Sequence, residues 1–125
     1  MKILVVDDEQ DVQPLFEQRF RREIKSHEFE MEFVLSGEAA LEYLNNNGFQ
    51  DKLILSDINM PGMSGLELLD KIQKSCNPPP PVVMMISAYG DDENKNTAQK
   101  LGANDFLTKP LDFALLKEKI KSLSI

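Results

Sequence analysis

Short, nearly continuous apolar runs alternate along the chain with segments in which apolar residues recur at helical spacing. The first, third and fourth runs lack the polar alternation of a half-exposed strand, which indicates strands that are covered on both faces. Strands joined by helical crossovers run parallel with right-handed connections. The pattern therefore predicts a doubly wound α/β sandwich, in which a five-stranded parallel sheet carries helices on both faces. The five runs are Lys2–Val6, Met31–Leu35, Lys52–Ser56, Val82–Ser87 and Asp105–Thr108.

Four of the segments between and after these runs carry an apolar stripe that predicts an amphipathic helix. Ser36 and Asp112 are the predicted N-caps of the second and last helices. Between the fourth and fifth strands, Asp91–Leu101 offers only Ala98 and Leu101 for burial, so we expect a helix of low stability. The stripes comprise Val12, Leu15, Phe16, Phe20 and Ile24; Ala40, Leu41 and Leu44; Leu66, Leu69 and Ile72; and Phe113, Leu116, Ile120 and Leu123.

Length and charge narrow the classes of function. A chain of 125 residues suits one domain, and we expect residues 1–125 to form it. With 14 basic and 21 acidic side chains the net charge is −7, which argues against direct nucleic-acid binding. A single cysteine and a single histidine exclude an internal disulfide and a zinc site built from several His and Cys ligands. No apolar run approaches the length of a membrane span or of a signal peptide, so the expected location is cytoplasmic.

Polar residues follow the predicted strands at one end of each. Asp7 and Asp8 follow the first strand, Asp57 the third, Ser87 ends the fourth and Lys109 follows the fifth. In a parallel sheet these ends share one edge, which is where such folds bind ligands. Two carboxylates about 4 Å apart repel by about 4 kcal/mol at an effective dielectric of about 20. Three of them need compensating positive charge, which a bound divalent cation and the Lys109 ammonium can supply. A site whose ligands are all oxygens favours Mg²⁺. Such a site suits phosphoryl transfer.

Four motifs occur in order along the chain. They are ILVVDDE at Ile3–Glu9, DINMPGMSG at Asp57–Gly65, ISA at Ile86–Ala88 and ANDFLTKP at Ala103–Pro110. With these motifs the chain resembles, over essentially its whole length, the receiver domain of two-component response regulators. The pattern D-x-x-M-P-x-x-x-G is the most specific of them. The resemblance implies a flavodoxin-like sheet with strand order 2-1-3-4-5.

The resemblance also implies a role for each matching residue. Asp57 is the expected phosphoacceptor, which takes a phosphoryl group from a histidine of a sensor kinase or phosphotransfer protein. Asp8, Asp57 and the backbone carbonyl of Asn59 are the expected Mg²⁺ ligands, with Asp7 acting through water. Lys109 is expected to contact Asp57 at rest and a phosphoryl oxygen afterwards.

A second group of residues is implied to transmit the signal. Ser87 and Phe106 are the expected switch pair, although many family members carry tyrosine where this chain has Phe106. Asn59 and Tyr89 are expected to tune the lifetime of the phosphoryl group, and the Lys109–Pro110 bond is expected to be cis. Phosphorylation would then reshape the face made by the fourth helix, fifth strand and fifth helix. That face is expected to act on a downstream target or to form a homodimer.

The sequence also suggests where a partner kinase docks, and it leaves three alternatives to the phosphoacceptor function open. The first helix carries Arg19, Arg21 and Arg22, where we expect a kinase to dock. The chain is expected to be a self-phosphorylating acceptor with slow autodephosphorylation rather than an enzyme. The alternatives are a scaffold receiver that is never phosphorylated, and the regulatory piece of a longer protein with an enzymatic or DNA-binding output. The third is a Mg²⁺-dependent phosphatase of the haloacid dehalogenase type, which needs a second aspartate where this chain has Asn59.

Overall fold

A computed structural model describes residues 1–49, 52–75, 80–87 and 92–123. These residues form five strands and six helices in alternation, with two consecutive helices after the first strand. In chain order the elements are β1 (Lys2–Val6), α1 (Val12–Arg19), α2 (Arg21–Lys25), β2 (Glu30–Val34), α3 (Gly37–Asn47), β3 (Lys52–Asp57), α4 (Gly65–Ser75), β4 (Val82–Ser87), α5 (Asp92–Lys100), β5 (Asp105–Thr108) and α6 (Phe113–Lys121).

All five strands pair in parallel, in the order β2-β1-β3-β4-β5. The predicted fold class and strand order are therefore confirmed. From β1 the chain crosses to β2 on one side and then returns to β3 on the other, so the strand order reverses next to β1. A crevice opens at such a reversal, outside the carboxyl ends of the strands. The topology thus places the segments that follow β1 and β3 side by side.

Each strand contributes side chains to two separate apolar layers, because successive residues point to opposite faces. In β1, Leu4 and Val6 join the layer covered by α3, α4 and α5. Ile3 and Val5 join the layer covered by α1, α2 and α6. Five phenylalanine rings lie in or beside this second layer with centroids 5.3–6.2 Å apart, namely Phe16, Phe20, Phe29, Phe33 and Phe113.

The prediction of one continuous first helix is wrong. The segment divides into two helices at Phe20, whose backbone leaves helical geometry at φ −106° and ψ 21°. The chain still turns, because Phe20 N–H donates to the Phe16 carbonyl and Ile24 N–H donates to the Phe20 carbonyl. Phe20 is fully buried and stacks on Phe16, so the break lies at the residue that anchors both helices to the core.

One burial prediction and two strand boundaries also need correction. Leu15 was expected in the buried stripe but is 40% exposed, because it lies on the flank of α1 beside the stripe of Phe16 and Phe20. The second strand begins and ends one residue earlier than expected, because Glu30 pairs with Lys2, and Leu35 is left 49% exposed. The third strand extends one residue further than predicted, to Asp57.

Other local predictions are confirmed. The Ser36 hydroxyl accepts a hydrogen bond from Ala39 N–H at the start of α3, and Asp112 accepts one from Leu115 N–H at the start of α6. The α5 helix runs over Asp92–Lys100 and buries only Ala98. With so little apolar surface removed from water, α5 is held weakly by the rest of the fold.

Gly65, the first residue of α4, lies against the end of β3. A Cβ atom at this position would lie 2.1 Å from the Asp57 carbonyl oxygen and 2.8 Å from the Ile58 Cα atom. Both are backbone atoms, which cannot rotate away as a side chain can. Only glycine therefore allows α4 to start so close to β3.

We predict that Gly65→Ala lowers the free energy of unfolding by about 2 kcal/mol, because the added methyl group overlaps fixed backbone atoms. Gly37→Ala is the matched control, since the three atoms nearest to a Cβ there, at 2.9–3.1 Å, all belong to the side chain of Met63 rather than to the backbone. Urea titrations of both variants check this. Equal costs at the two positions would contradict the prediction.

Candidate functional site

The carboxyl edge of the sheet brings the predicted polar residues together. Asp7 and Asp8 directly follow β1, and Asp57 ends the neighbouring strand β3. Ser87 ends β4, one residue beyond the partner of Asp57 in the register, Ile86. Lys109 directly follows β5. The site is therefore assembled from four strand ends.

Three carboxylates form the acidic part of the site. One oxygen from each of Asp7, Asp8 and Asp57 can be chosen so that all three lie within 4.8 Å of one another. Asp7 and Asp57 are buried, whereas Asp8 is exposed. Two of the three negative charges are thus largely withdrawn from water, which is costly unless they are paired.

Lys109 supplies the pairing. Its Nζ atom lies 3.1 Å from Asp57 Oδ2 and 3.2 Å from Asp7 Oδ2, so one ammonium bridges both buried carboxylates. Burial alone would lower the pKa of Lys109, but the hydrogen bond to Asp57 and the charges of both aspartates outweigh it and raise the pKa. Lys109 therefore stays charged in the folded protein.

Asp57 has the opposite balance. Burial raises its pKa, while the hydrogen bond and charge of Lys109 lower it, and the neighbouring Asp7 raises it again; the net shift is upward. One ammonium thus does not fully compensate the buried acidic pair. A cation that added positive charge here would favour the ionised form of Asp57.

Two backbone amides fix the orientation of the buried carboxylates. Asn59 N–H donates to Asp57 Oδ1 over 3.2 Å, and Glu9 N–H donates to Asp7 Oδ1 over 3.0 Å. In each aspartate one oxygen accepts from the backbone and the other from Lys109. The two side chains are consequently held in a defined orientation.

The expected signalling residues lie around this centre. Ser87 is 2% exposed, and its carbonyl accepts a hydrogen bond of 2.7 Å from Lys109 N–H. Phe106 in β5 is half-buried against the layer that includes α4 and α5. The Lys109–Pro110 peptide bond is cis, as predicted. Tyr89 lies outside the described residues.

The donor set fits a hard divalent cation. The clustered ligand atoms are all carboxylate oxygens, and the exposed Asp8 leaves the cluster open to solvent on one side. Mg²⁺ prefers oxygen ligands and retains several waters, which requires such an open face. Residues Asp8 and Asp57 could bind it directly, and Asn59, whose N–H donates to Asp57 Oδ1, is the residue expected to add its carbonyl.

An apolar groove of about 330 Å³ adjoins the site between α1 and the start of α6. Asp7 and Lys109 are among the residues that line the groove. The half-exposed Leu15 and the neighbouring residues Val12, Phe113 and Arg19 line its wall. An exposed apolar surface beside a reactive centre is a candidate contact for another protein.

The family model for the response regulator receiver domain matches residues 3–121. The chain belongs to this family. It is similar to the response regulator RppA of Synechocystis sp., with 34% identity over 98% of this chain and 50% of RppA. It is also similar to the chemotaxis protein CheY1 of Helicobacter pylori, with 32% identity over 97% of this chain and 94% of CheY1. The chain thus spans about half the length of RppA but nearly all of CheY1.

Solved structures agree with this assignment. A response regulator receiver protein from Pseudomonas putida matches 98% of this chain and 96% of its own, with a TM-score of 0.83 and 27% identity. The chain is therefore a receiver domain of two-component response regulators, a family that works in phosphorelay signalling. Within the described part of the chain, no helix combines the length and apolar character needed to cross a membrane.

Sequence reasoning missed two features, one in the site and one away from it. It did not predict that Asp7, the residue expected to act through water, is buried and bonded to Lys109 while Asp8 is exposed. It also missed Glu23, which is 5% exposed and pairs with Lys117 of α6 at 3.2 Å. The signal for Glu23 was its position three residues after Phe20, on the buried side of the helix.

We predict that Asp57→Asn makes the protein more stable when Mg²⁺ is absent and reduces the stabilisation that Mg²⁺ provides. Because the pKa of Asp57 is raised in the folded protein, its ionisation costs stability as pH rises through that pKa. Without divalent cations, Asp57→Asn should raise the free energy of unfolding at pH 7 by about 1 kcal/mol, with no gain below about pH 4. Conversely, Mg²⁺ at about one hundred times its dissociation constant should stabilise wild type by about 2.7 kcal/mol. The variant should respond far less.

Urea unfolding with EDTA or with Mg²⁺, at several pH values, measures both effects. Asp70→Asn is the control for loss of one carboxylate, because Asp70 lies on α4 and pairs with the exposed Lys74. A less stable Asp57→Asn variant at pH 7 in EDTA would show that the Lys109 ion pair dominates. An equal Mg²⁺ response in both variants would exclude Asp57 as a ligand.

Proposed function

We propose that the chain is the phosphoacceptor of a two-component phosphorelay and that Asp57 receives the phosphoryl group from a histidine of a partner protein. The observation that carries this proposal is the bridge from Lys109 to both Asp57 and Asp7. It holds a buried carboxylate at the sheet edge with a cation already beside it. Family membership supports the same reading.

The transfer needs an ionised Asp57. One carboxylate oxygen attacks the phosphorus of the phosphohistidine, the P–N bond breaks, and the imidazole nitrogen leaves with the electron pair. Lys109 would then bond to a phosphoryl oxygen instead of to the Asp57 carboxylate. Its positive charge would neutralise part of the negative charge that the phosphoryl group adds. Mg²⁺, held by Asp8, Asp57, the Asn59 carbonyl and, through water, Asp7, would supply further charge stabilisation for the transfer.

The signal would leave the site through Ser87 and Phe106. Ser87 ends β4, one residue beyond the register partner of Asp57, and its hydroxyl would donate to a phosphoryl oxygen. Phe106 lies on β5, next to the weakly held α5. We propose that phosphorylation shifts the face made by α5, β5 and α6, which then binds a downstream target or a second copy. Asn59 and Tyr89 would set how long the phosphoryl group lasts.

We propose that the chain is a signalling domain in the cytosol. It is phosphorylated once, slowly dephosphorylates itself and does not turn over other substrates. Two alternatives make different predictions. A scaffold receiver would never accept a phosphoryl group, and a phosphatase would release phosphate repeatedly. RppA is about twice as long as this chain, so an enzymatic or DNA-binding output elsewhere in a longer protein also remains compatible with the site.

We predict that wild type gains one phosphoryl group when incubated with acetyl phosphate and Mg²⁺, and that Asp57→Asn gains none. The asparagine amide lacks the nucleophilic oxygen that attacks phosphorus. Intact-mass spectrometry measures the modification directly. Asp70→Asn, which removes an exposed carboxylate from α4, is expected to be modified like wild type.

The controls separate the alternatives. Wild type that stays unmodified would support the scaffold function. Continuous phosphate release from several phosphate esters would support the phosphatase. Modification of Asp57→Asn at the wild-type rate would show that another residue is the acceptor.

Of the three arginines expected to dock a kinase, Arg21 and Arg22 are the ones that we propose to contact it. The Arg19 guanidinium lies 5.4 Å from the centroid of the Phe113 ring, so Arg19 contributes to packing of α1 against α6. Arg21 and Arg22 are exposed at the start of α2. In a chain of net charge −7 they form a local basic surface that can attract an acidic partner surface.

We predict that charge reversal at both Arg21 and Arg22 slows phosphotransfer from the partner kinase about tenfold, because steering of the encounter is lost. Modification by acetyl phosphate, which needs no protein docking, should stay unchanged. The kinase is the one that phosphorylates wild type fastest in a transfer screen. Lys74→Glu on α4 is the charge control. Unchanged transfer to the Arg21 and Arg22 variant would refute docking at α2.

A further inference from the structure

Ser56 is a buried hydroxyl in an otherwise apolar part of the sheet. It is 1% exposed, and its neighbours in the register are Val6 of β1 and Met85 of β4, which are both buried. A hydroxyl in such surroundings is costly unless it is hydrogen-bonded. Its Oγ atom donates to the Asp57 carbonyl over 3.0 Å. Ser56 therefore makes its bond to the backbone of the proposed phosphoacceptor.

The same carbonyl is confined from a second direction. The start of α4 lies so close that a Cβ on Gly65 would be 2.1 Å from the Asp57 oxygen. Gly65 N–H also donates to the Ile58 carbonyl over 2.8 Å, and Ile58 N–H donates to Ile86 of β4 over 2.9 Å. The peptide group between Asp57 and Ile58 is thus held by contacts from β3, β4 and α4.

This peptide group lies between the two proposed functional parts of the segment. On one side is the Asp57 side chain, and on the other is Asn59, whose N–H donates to Asp57 Oδ1. A rotation of the peptide would move the Asp57 carboxylate and the Asn59 carbonyl together. Displacements of about 1 Å can slow a positioned reaction by about one hundredfold.

We propose that Ser56 is a positioning residue whose hydroxyl fixes the Asp57 peptide and thereby aligns the Asp57 carboxylate with the Asn59 backbone. The inference rests on the proposed phosphoacceptor role of Asp57 and adds a residue that contacts neither the phosphoryl group nor a cation. Its role is to hold a geometry rather than to increase stability alone.

Ser56→Ala removes the donor while retaining the Cβ atom. We expect about a tenfold slower modification of Asp57 by acetyl phosphate at saturating Mg²⁺, and about threefold or more weaker binding of Mg²⁺ itself. Ser56→Thr keeps the donor and should regain at least half of the wild-type rate. Mass spectrometry gives the rate, and calorimetry with MgCl₂ gives the affinity without any phosphodonor.

Val83→Ala controls for a general loss of stability. Val83 is 1% exposed in the same apolar layer but lies on β4 opposite Ile54, away from the carboxyl end of the strand where the site lies. It should lower stability and leave both readouts within twofold of wild type. If Val83→Ala is slowed as much as Ser56→Ala, or if Ser56→Ala matches wild type in both readouts, the proposal is wrong. A Ser56→Thr variant as slow as Ser56→Ala at equal stability would also overturn it.

The two readouts keep this inference separate from the proposed function. If wild type is not phosphorylated by acetyl phosphate, the phosphoacceptor role fails. The Mg²⁺ affinities of Ser56→Ala and Val83→Ala then still decide whether Ser56 positions the site.

Discussion

The structure depends on one electrostatic arrangement, in which a single ammonium is shared by two buried carboxylates. Asp7 and Asp57 lie at the edge of an apolar sheet, where the cost of a charge is far higher than at the surface. Lys109 bonds to both, yet burial and the neighbouring Asp7 still raise the pKa of Asp57. The site is therefore arranged to accept more positive charge, and it is sensitive to any added negative charge.

The sheet topology makes this arrangement rigid. β1 and β3 are hydrogen-bonded neighbours, so the residues that follow them have little freedom to separate as their charges repel. Lys109 is tied to β4 by its own backbone bond to Ser87, and α4 begins in direct contact with the Asp57 backbone. A charge added to Asp57 would consequently act on side chains and on less firmly held elements rather than on the strands.

The helix α5 has less apolar surface buried than its neighbours. On one face, α1, α2 and α6 share a cluster of phenylalanine rings, and Glu23 of α2 pairs with Lys117 of α6. On the other face, α4 buries two leucines and an isoleucine, whereas α5 buries only Ala98. Local opening is easiest where few apolar contacts are lost. This asymmetry agrees with the proposal that α5 and the neighbouring part of β5 respond to phosphorylation while α1 and α2 keep a fixed surface for a partner.

The alternation of strands and helices follows from the amino-acid sequence alone, since apolar periodicity depends on local geometry. The strand ends also placed the polar residues at one edge of the sheet, and motif resemblance added the strand order and the role of each residue. Neither source showed that the first helix divides at Phe20 or that Leu15 is exposed, because both depend on how rings from distant elements share the core. The tertiary structure also decided which acid of the Asp7–Asp8 pair bonds to Lys109, and that Ser56 and Gly65 both contact the Asp57 carbonyl. The Asp7–Lys109 pair joins residues 102 positions apart, and the distances at the Asp57 carbonyl follow from how α4 packs against β3, which no local pattern encodes.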